Sequence, residues 1–390
     1  MTNHPVRIYA GPSRYVQGRG ALLLLGAQIK SFGIQGKALI VISKTADKAT
    51  RPLWEKSLKD AGLPYTVYLF GGECSDIEIA KIKKECEAAK ADYLIAIGGG
   101  KDLDAARAAA EQLKLETIIC PSIASTDAPC IAFSVIYKES GEMQEFRALR
   151  KNPLLVLVDT DVIAKAPKRF LVAGMGDALS TYYEAKAAKG SCTLTPKGGL
   201  QTEAGLVLAK LCRDILLADG AHVVANYDSG AITPAFERVV EANVLLSGMG
   251  VELCHVAGAH AIHNGLTQLK ETHHCYHGEK VAFGIITQLI LEGDNFEEID
   301  ELLKLYHQIG LPSTFKQLGI ENPTDEMLFT VANRALLPQE TMSHEPFIIT
   351  AQDIVDAMRF TDSLGQQSKS KMSVEDAKAC SPTRKRGVFD

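Results

Sequence analysis

Along the first 160 residues, short continuous apolar runs alternate with segments of helical spacing. The runs are ALIVIS at 38–43, TVYLF at 66–70, YLIAIGGG at 93–100, ETIICPS at 116–122 and LLVLVD at 154–159. Between them, residues 46–61 and 76–90 carry the period of amphipathic helices. Runs that are apolar at every position predict strands buried on both faces, as in a parallel sheet covered by helices. From about Pro167 the rhythm changes to long Ala- and Leu-rich stretches of helical spacing, such as FLVAGMGDALSTYYEAKAA and EKVAFGIITQLILEG. The pattern predicts an α/β, Rossmann-like parallel-sheet domain over 1–163 and an all-α domain over 164–365. A polar, weakly periodic tail over 366–390 is expected to be partly disordered or loosely docked.

Composition narrows the function more than the fold. A length of 390 residues suits two cores rather than one. The net charge of −5 gives no electrostatic footprint for nucleic acid or a membrane surface. Arg384-Lys385-Arg386 lies in the polar tail and reads as a solvated end. No apolar run reaches the roughly 18 residues needed to span a bilayer. The start, MTNHPVRIYAG, lacks the pattern of a signal peptide. The nine cysteines show no CxxC pair, and an odd count without a secretion signal reads as reduced thiols in a cytoplasmic protein. Small-molecule chemistry remains.

Four segments carry candidate chemistry. Gly98-Gly99-Gly100-Lys101 follows a strand run and opens the helical pattern KDLDAARAAAEQL. Glycines there let backbone amides and a helix N-terminus approach a phosphate, although a strand–helix turn needs glycine in any case. PSIASTDAPC, 121–130, leaves the end of the next strand run; its hydroxyls and Asp127 suit a polyol or ribose, or simply cap a loop. GMGDALS, 174–180, places Asp177 just inside an expected helix start. Six of the ten histidines fall between His255 and His277. His260 and His263 share a helix face, and His277 follows a turn. A carboxylate with two or three imidazoles suits zinc or iron(II), whereas His273 and His274 read as loop residues.

In this order, GGGKxLD, STDAPC, GMGDALSTYxEA, AHAIHNGLT and HHxxHGEKVAFG resemble the glycerol dehydrogenases of the iron-containing (group III) alcohol dehydrogenase superfamily, over roughly residues 5–365. The resemblance implies a metal in the cleft between an NAD-binding domain and a helical domain. It implies Asp177, His260 and His277 as ligands, with His263 facing the active site without coordinating. Iron-carrying members often have a histidine four residues after the aspartate; here Thr181 stands there, which favours Zn2+ over Fe2+. Gly98, Gly99, Gly100 and Lys101 would hold the pyrophosphate, with Asp104 in the first helical turn behind them. Ser122 and Ser125 would touch the nicotinamide side, Asp127 the polyol hydroxyls, and Tyr137 matches a cofactor-site tyrosine. The expected reaction is hydride transfer between a nicotinamide cofactor and glycerol or a related vicinal diol. The family also implies a homo-oligomer, often an octamer.

Three departures bear on specificity. The family's second strand usually ends in an acid that binds the adenosine ribose, whereas this chain has Ser43-Lys44, a change that suits a 2′-phosphate and NADP. Ile131 and Phe133 are bulkier than the family's residues and would thicken the cofactor-pocket wall. Leu253-Cys254-His255 replaces a Ser-Gly-Gly stretch and would narrow the substrate pocket. An NADP-leaning reductase of small aldehydes, ketones or 2-oxo acids is therefore the alternative. A dehydroquinate synthase-type lyase would need basic residues around a phosphorylated substrate, which these blocks lack. A non-catalytic nucleotide-bound scaffold would not need the three ligands.

Overall fold

Each apolar run of the first half becomes a strand. The computed structural model describes residues 6–139, 142–293 and 296–379, the last without the side chains of 369–379. Strands β1 (Arg14–Gly18), β2 (Ala38–Ile42), β3 (Tyr65–Leu69), β4 (Tyr93–Gly98), β5 (Glu116–Pro121) and β8 (Leu155–Asp159) form one parallel sheet in the order β1-β8-β5-β4-β2-β3. β6 (Phe133–Tyr137) and β7 (Met143–Ala148) form a separate antiparallel hairpin. Side chains alternate across the sheet. Ala38, Ile40 and Ile42 pack with Trp54 and Leu58 on one face, while Leu39 and Val41 pack with Ile79, Ile82 and Leu103 on the other. Two buried faces explain why the period-two signal is absent from β2, β4 and β8, whereas β1 and β3 at the sheet edges are only partly buried.

The helices of this half are α1 (Leu25–Lys30), α2 (Lys44–Asp60), α3 (Asp76–Ala89) and α4 (Gly100–Leu113), and α5 (Thr160–Ile163) follows β8. Strand order makes the crevice between the carboxyl ends of β2 and β4 a topological switch point, where such sheets bind nucleotides. Ser43 and Gly98–Gly100 flank it.

The second half is helical: α6 (Lys168–Gly190), α7 (Glu203–Ala225), α8 (Pro234–Glu241), α9 (Ser247–Cys254), α10 (Gly258–Leu266), α11 (His277–Glu292), α12 (Phe296–Ile309), α13 (Asp325–Ala335) and α14 (Ala351–Ala379). A π-helical turn, Ala242–Leu246, joins α8 to α9, and the run bends by 106° into α10. α14 continues through the start of the tail expected from 366, so helix rather than loose chain occupies that stretch up to Ala379. The Arg384-Lys385-Arg386 cluster lies outside the described residues. No single described helix is long and apolar enough to cross a membrane.

The expected helix start near Asp177 is corrected: Asp177 lies in the third turn of α6, which begins at Lys168 after Pro167. Gly174 and Gly176 look like a break in the sequence but serve close packing. A Cβ on Gly174 would stand 2.0 Å from the Ala124 carbonyl oxygen, and one on Gly176 would stand 2.4 Å from that of Gly278.

Candidate metal and nucleotide site

Three helices bring the ligand candidates together. Asp177 projects from α6, His260 from α10 and His277 from the first position of α11, with their donor atoms within 4.8 Å of one another. His277 Nε2 lies 3.0 Å and His260 Nε2 3.5 Å from Asp177 Oδ1. The other ring nitrogens are committed elsewhere. Glu184 Oε2 accepts from His260 Nδ1 at 2.7 Å, while Glu184 Oε1 accepts from the amides of Ala257 at 2.8 Å and His260 at 2.9 Å. His277 Nδ1 lies 2.9 Å from His263 Nε2. With both Nδ1 atoms carrying the protons, two Nε2 lone pairs face Asp177 Oδ1, a buried oxygen with no hydrogen-bond partner. Three acceptors converging without a proton between them fit a cation.

The three groups also shift one another's proton affinity, and a proton on either histidine competes with a cation for the same Nε2 position. Burial works against ionised Asp177, but His277 and His260 outweigh it and hold its pKa below the usual carboxylate range. Burial also opposes the His260 cation, yet Glu184 and Asp177 prevail and raise its pKa. His263 is pushed below its ordinary value, first by burial and then by His277. Asp127 donates its amide to Asp177 Oδ2 at 3.2 Å and receives Ser247 Oγ at 3.4 Å; burial and the neighbouring Asp177 push its pKa up.

The glycine turn meets this centre through the 122–127 loop. Ser122 donates its amide to the Gly98 carbonyl, Gly99 and Gly100 lie against Ile123 and Thr126, and Ser122 and Ser125 are half-buried. Asn243, in the π-turn, donates to both Ala124 O and Leu171 O at 3.0 Å and pins the loop to α6. Asp102, rather than Asp104, is the carboxylate at the glycine turn. Burial raises its pKa to about 6 against hydrogen bonds from Ser43 and Gly99, and its Oδ2 has no partner.

Asp104 points elsewhere. It pairs with buried Arg107 and accepts from Val135 N at 3.1 Å, while Arg107 donates to Ala128 O and Ile131 O at 2.6 Å. The pair ties the loop and hairpin to α4. Lys101 bonds Glu73 at 2.6 Å and lies 4.9 Å over the Tyr137 ring. Phe133 stacks edge-on against Phe146 and, with Ile131, packs on Val251 and Val256.

Leu253, Cys254 and His255, expected to narrow the substrate pocket, have different surroundings. Leu253 and Cys254 are fully buried against Ala185, Ala209 and Met249. His255 has φ +79° and ψ 170°, a conformation natural for glycine, and its ring stacks edge-on at 4.4 Å against His344. Burial and His344 lower its pKa from 6.5 to about 4. The unfolded chain therefore binds the extra proton, so stability falls as pH drops from about 6.5 toward 4. His255→Gly should shrink the loss of melting temperature between pH 7 and pH 5; an unchanged loss would refute this role.

Sequence reasoning missed Glu184, Asn243, Asn264 and Glu340. Glu184 alone left a signal, standing seven residues after Asp177 on the same face of α6.

A nucleotide crevice beside a cation-seeking triad describes a metal-dependent oxidoreductase, and comparison with known proteins leads to the same class. The iron-containing alcohol dehydrogenase family model matches residues 12–160. A glycerol dehydrogenase of Escherichia coli O6:H1 is 43% identical over 361 residues, covering 93% of this chain and 98% of its own. A glycolaldehyde reductase of Halobacterium salinarum is 40% identical, covering 93% and 99%. The crystal structure of a glycerol dehydrogenase from Schizosaccharomyces pombe superposes with a TM-score of 0.91 at 36% identity, covering 95% of this chain and 94% of that one. The chain belongs to the iron-containing alcohol dehydrogenase family, whose enzymes use NAD(P) and a metal.

Proposed function

We propose that the protein transfers a hydride between NAD(P) and glycerol or a related vicinal diol or hydroxy-carbonyl compound, with Zn2+ held by Asp177, His260 and His277. The observation that carries this reading is the convergence of two imidazole Nε2 atoms on Asp177 Oδ1 beside Asp127. Three protein donors, with Thr181 bonded to Ser247 instead of supplying a fourth, suit catalytic zinc. A bound cation supplies Lewis acidity, which eases deprotonation of a hydroxyl and polarises a carbonyl. The chain's own residues position the partners. Gly98–Gly100 and the α4 amides receive the pyrophosphate, and Ser122 and Ser125 border the nicotinamide. Asp127 hydrogen-bonds a substrate hydroxyl, so a diol is held at two points. His263 acts by orienting His277 rather than by touching substrate.

Exposed Lys44, at the start of α2 beside Ser43, favours the second reading, a reductase that accepts NADP and small carbonyl compounds. The eight cysteines among the described residues are free thiols, in keeping with the cytoplasm, and we carry over a homo-oligomer from the family resemblance. The test is a spectrophotometric panel of diols, aldehydes and 2-oxo acids with NAD(H) and NADP(H), with and without chelator. Glycerol-type diols should give chelator-sensitive turnover. Activity that survives complete metal removal would overturn the proposal, and strong NAD preference would dispose of the Lys44 reading.

A further inference from the structure

The two imidazoles of the triad are oriented differently. Glu184 fixes His260 directly, as carboxylates commonly do for metal-bound histidines. Among the described residues no carboxylate bonds His277 Nδ1. It meets His263 Nε2 at 2.9 Å; His263 Nδ1 meets Asn264 Oδ1 at 2.9 Å; Asn264 Nδ2 donates to Glu340 Oε2 at 2.7 Å. Arg334 donates to the other Glu340 oxygen. Glu340, Asn264 and His263 are all buried, so water does not offer them alternative partners.

We propose that Glu340 is a positioning residue that sets the proton on His277 from two side chains away. This rests on the metal reading of the site. The direction of each bond follows from what each group can do. The Glu340 carboxylate, held against Arg334, only accepts. Asn264 must therefore turn its NH2 toward Glu340, which leaves its carbonyl oxygen for His263. His263 then carries its proton on Nδ1 and accepts at Nε2. His277 in turn carries its proton on Nδ1 and keeps the Nε2 lone pair toward Asp177. Reversing the Asn264 amide would reverse every bond and place a proton where the cation belongs. The separation of 76 positions between Asn264 and Glu340 hides this relation in the sequence.

The test measures zinc dissociation constants by chelator competition for the wild type, Glu340→Gln and the double variant Glu340→Gln with Asn264→Asp. Metal-free melting temperatures report on folding. Arg334 holds the carbonyl oxygen of an amide at position 340, so its NH2 faces Asn264 and turns that amide over; zinc should bind about 10–100-fold more weakly, the usual cost of losing an outer partner. In the double variant, the amide at position 340 donates to the carboxylate at position 264, whose second oxygen still accepts from His263. Affinity should then return to within about threefold of wild type. A simple packing role would not predict that rescue. Glu340→Gln binding within about twofold of wild type would overturn the proposal, as would a double variant as weak as the single one. Selective 15N labelling of histidine in the zinc-bound wild type needs no variant; a proton on His263 Nε2 would overturn the proposal as well. Failure of the wild type to bind zinc would instead bring down the metal reading, and this inference with it.

Discussion

Asp177→Asn should yield a folded protein that retains only trace metal and has lost about 10³-fold or more in kcat/KM. The amide has nearly the same shape, and one of its atoms still lies opposite the Asp127 amide, so α6 and the 122–127 loop have no steric reason to move. What disappears is the only negative charge among the three donors. Two neutral imidazoles then hold a divalent cation in a buried pocket where water cannot make up the deficit. A Lewis acid contributes several kcal/mol of charge stabilisation in the transition state, which corresponds to about three powers of ten in rate. His277→Ala should behave similarly, losing metal while keeping the fold, because His277 is half-exposed at a helix start and packs little apolar surface. Metal analysis, circular dichroism and kcat/KM on the same preparations check this. Stoichiometric metal or near-normal turnover in either variant would refute the ligand assignment.

The legible parts of this chain were those where one residue type suffices for the physics. Parallel strands buried on both faces must be apolar at every position, so β2, β4, β5 and β8 stood out. β1 and β7 did not, because RYVQG is half-buried and MQEFRA largely solvent-facing, and neither keeps a continuous run. The ligand candidates were visible because imidazole and carboxylate are rare in apolar helices. The groups that orient them were not. Glu184, Asn243 and Glu340 work through distances of about 3 Å set by helix packing, and a sequence carries no record of which residues, 73 to 119 positions apart, meet. The surroundings of Asp104 and His255, two positions taken from the family resemblance, were hidden for a related reason. In the structure, Arg107 turns Asp104 away from the glycine turn, and the sharp bend after α9 turns His255 toward His344.

Gly278→Ala should cost stability as well as metal, because it acts on the geometry that creates the triad. A Cβ at 278 would stand 1.8 Å from the Ala173 carbonyl oxygen and 2.8 Å from the Asp177 amide nitrogen. Both neighbours are backbone atoms of α6 and cannot swing aside. α11 would have to withdraw from α6 by about 1 Å or more to restore ordinary contact. His277 precedes the substituted residue, and Asp177 lies on the opposing helix, so the withdrawal opens the triad along its shortest approach. A misplacement of about 1 Å costs on the order of 10²-fold in rate, and overpacking a tight helix contact typically costs about 1–3 kcal/mol of stability. The variant should therefore lose metal affinity and melting temperature together, whereas His277→Ala should lose metal alone. That pairing separates a donor from the packing that aims it. Normal metal affinity and stability in Gly278→Ala would mean that α6 and α11 do not approach this closely, and the triad would need a different geometric basis.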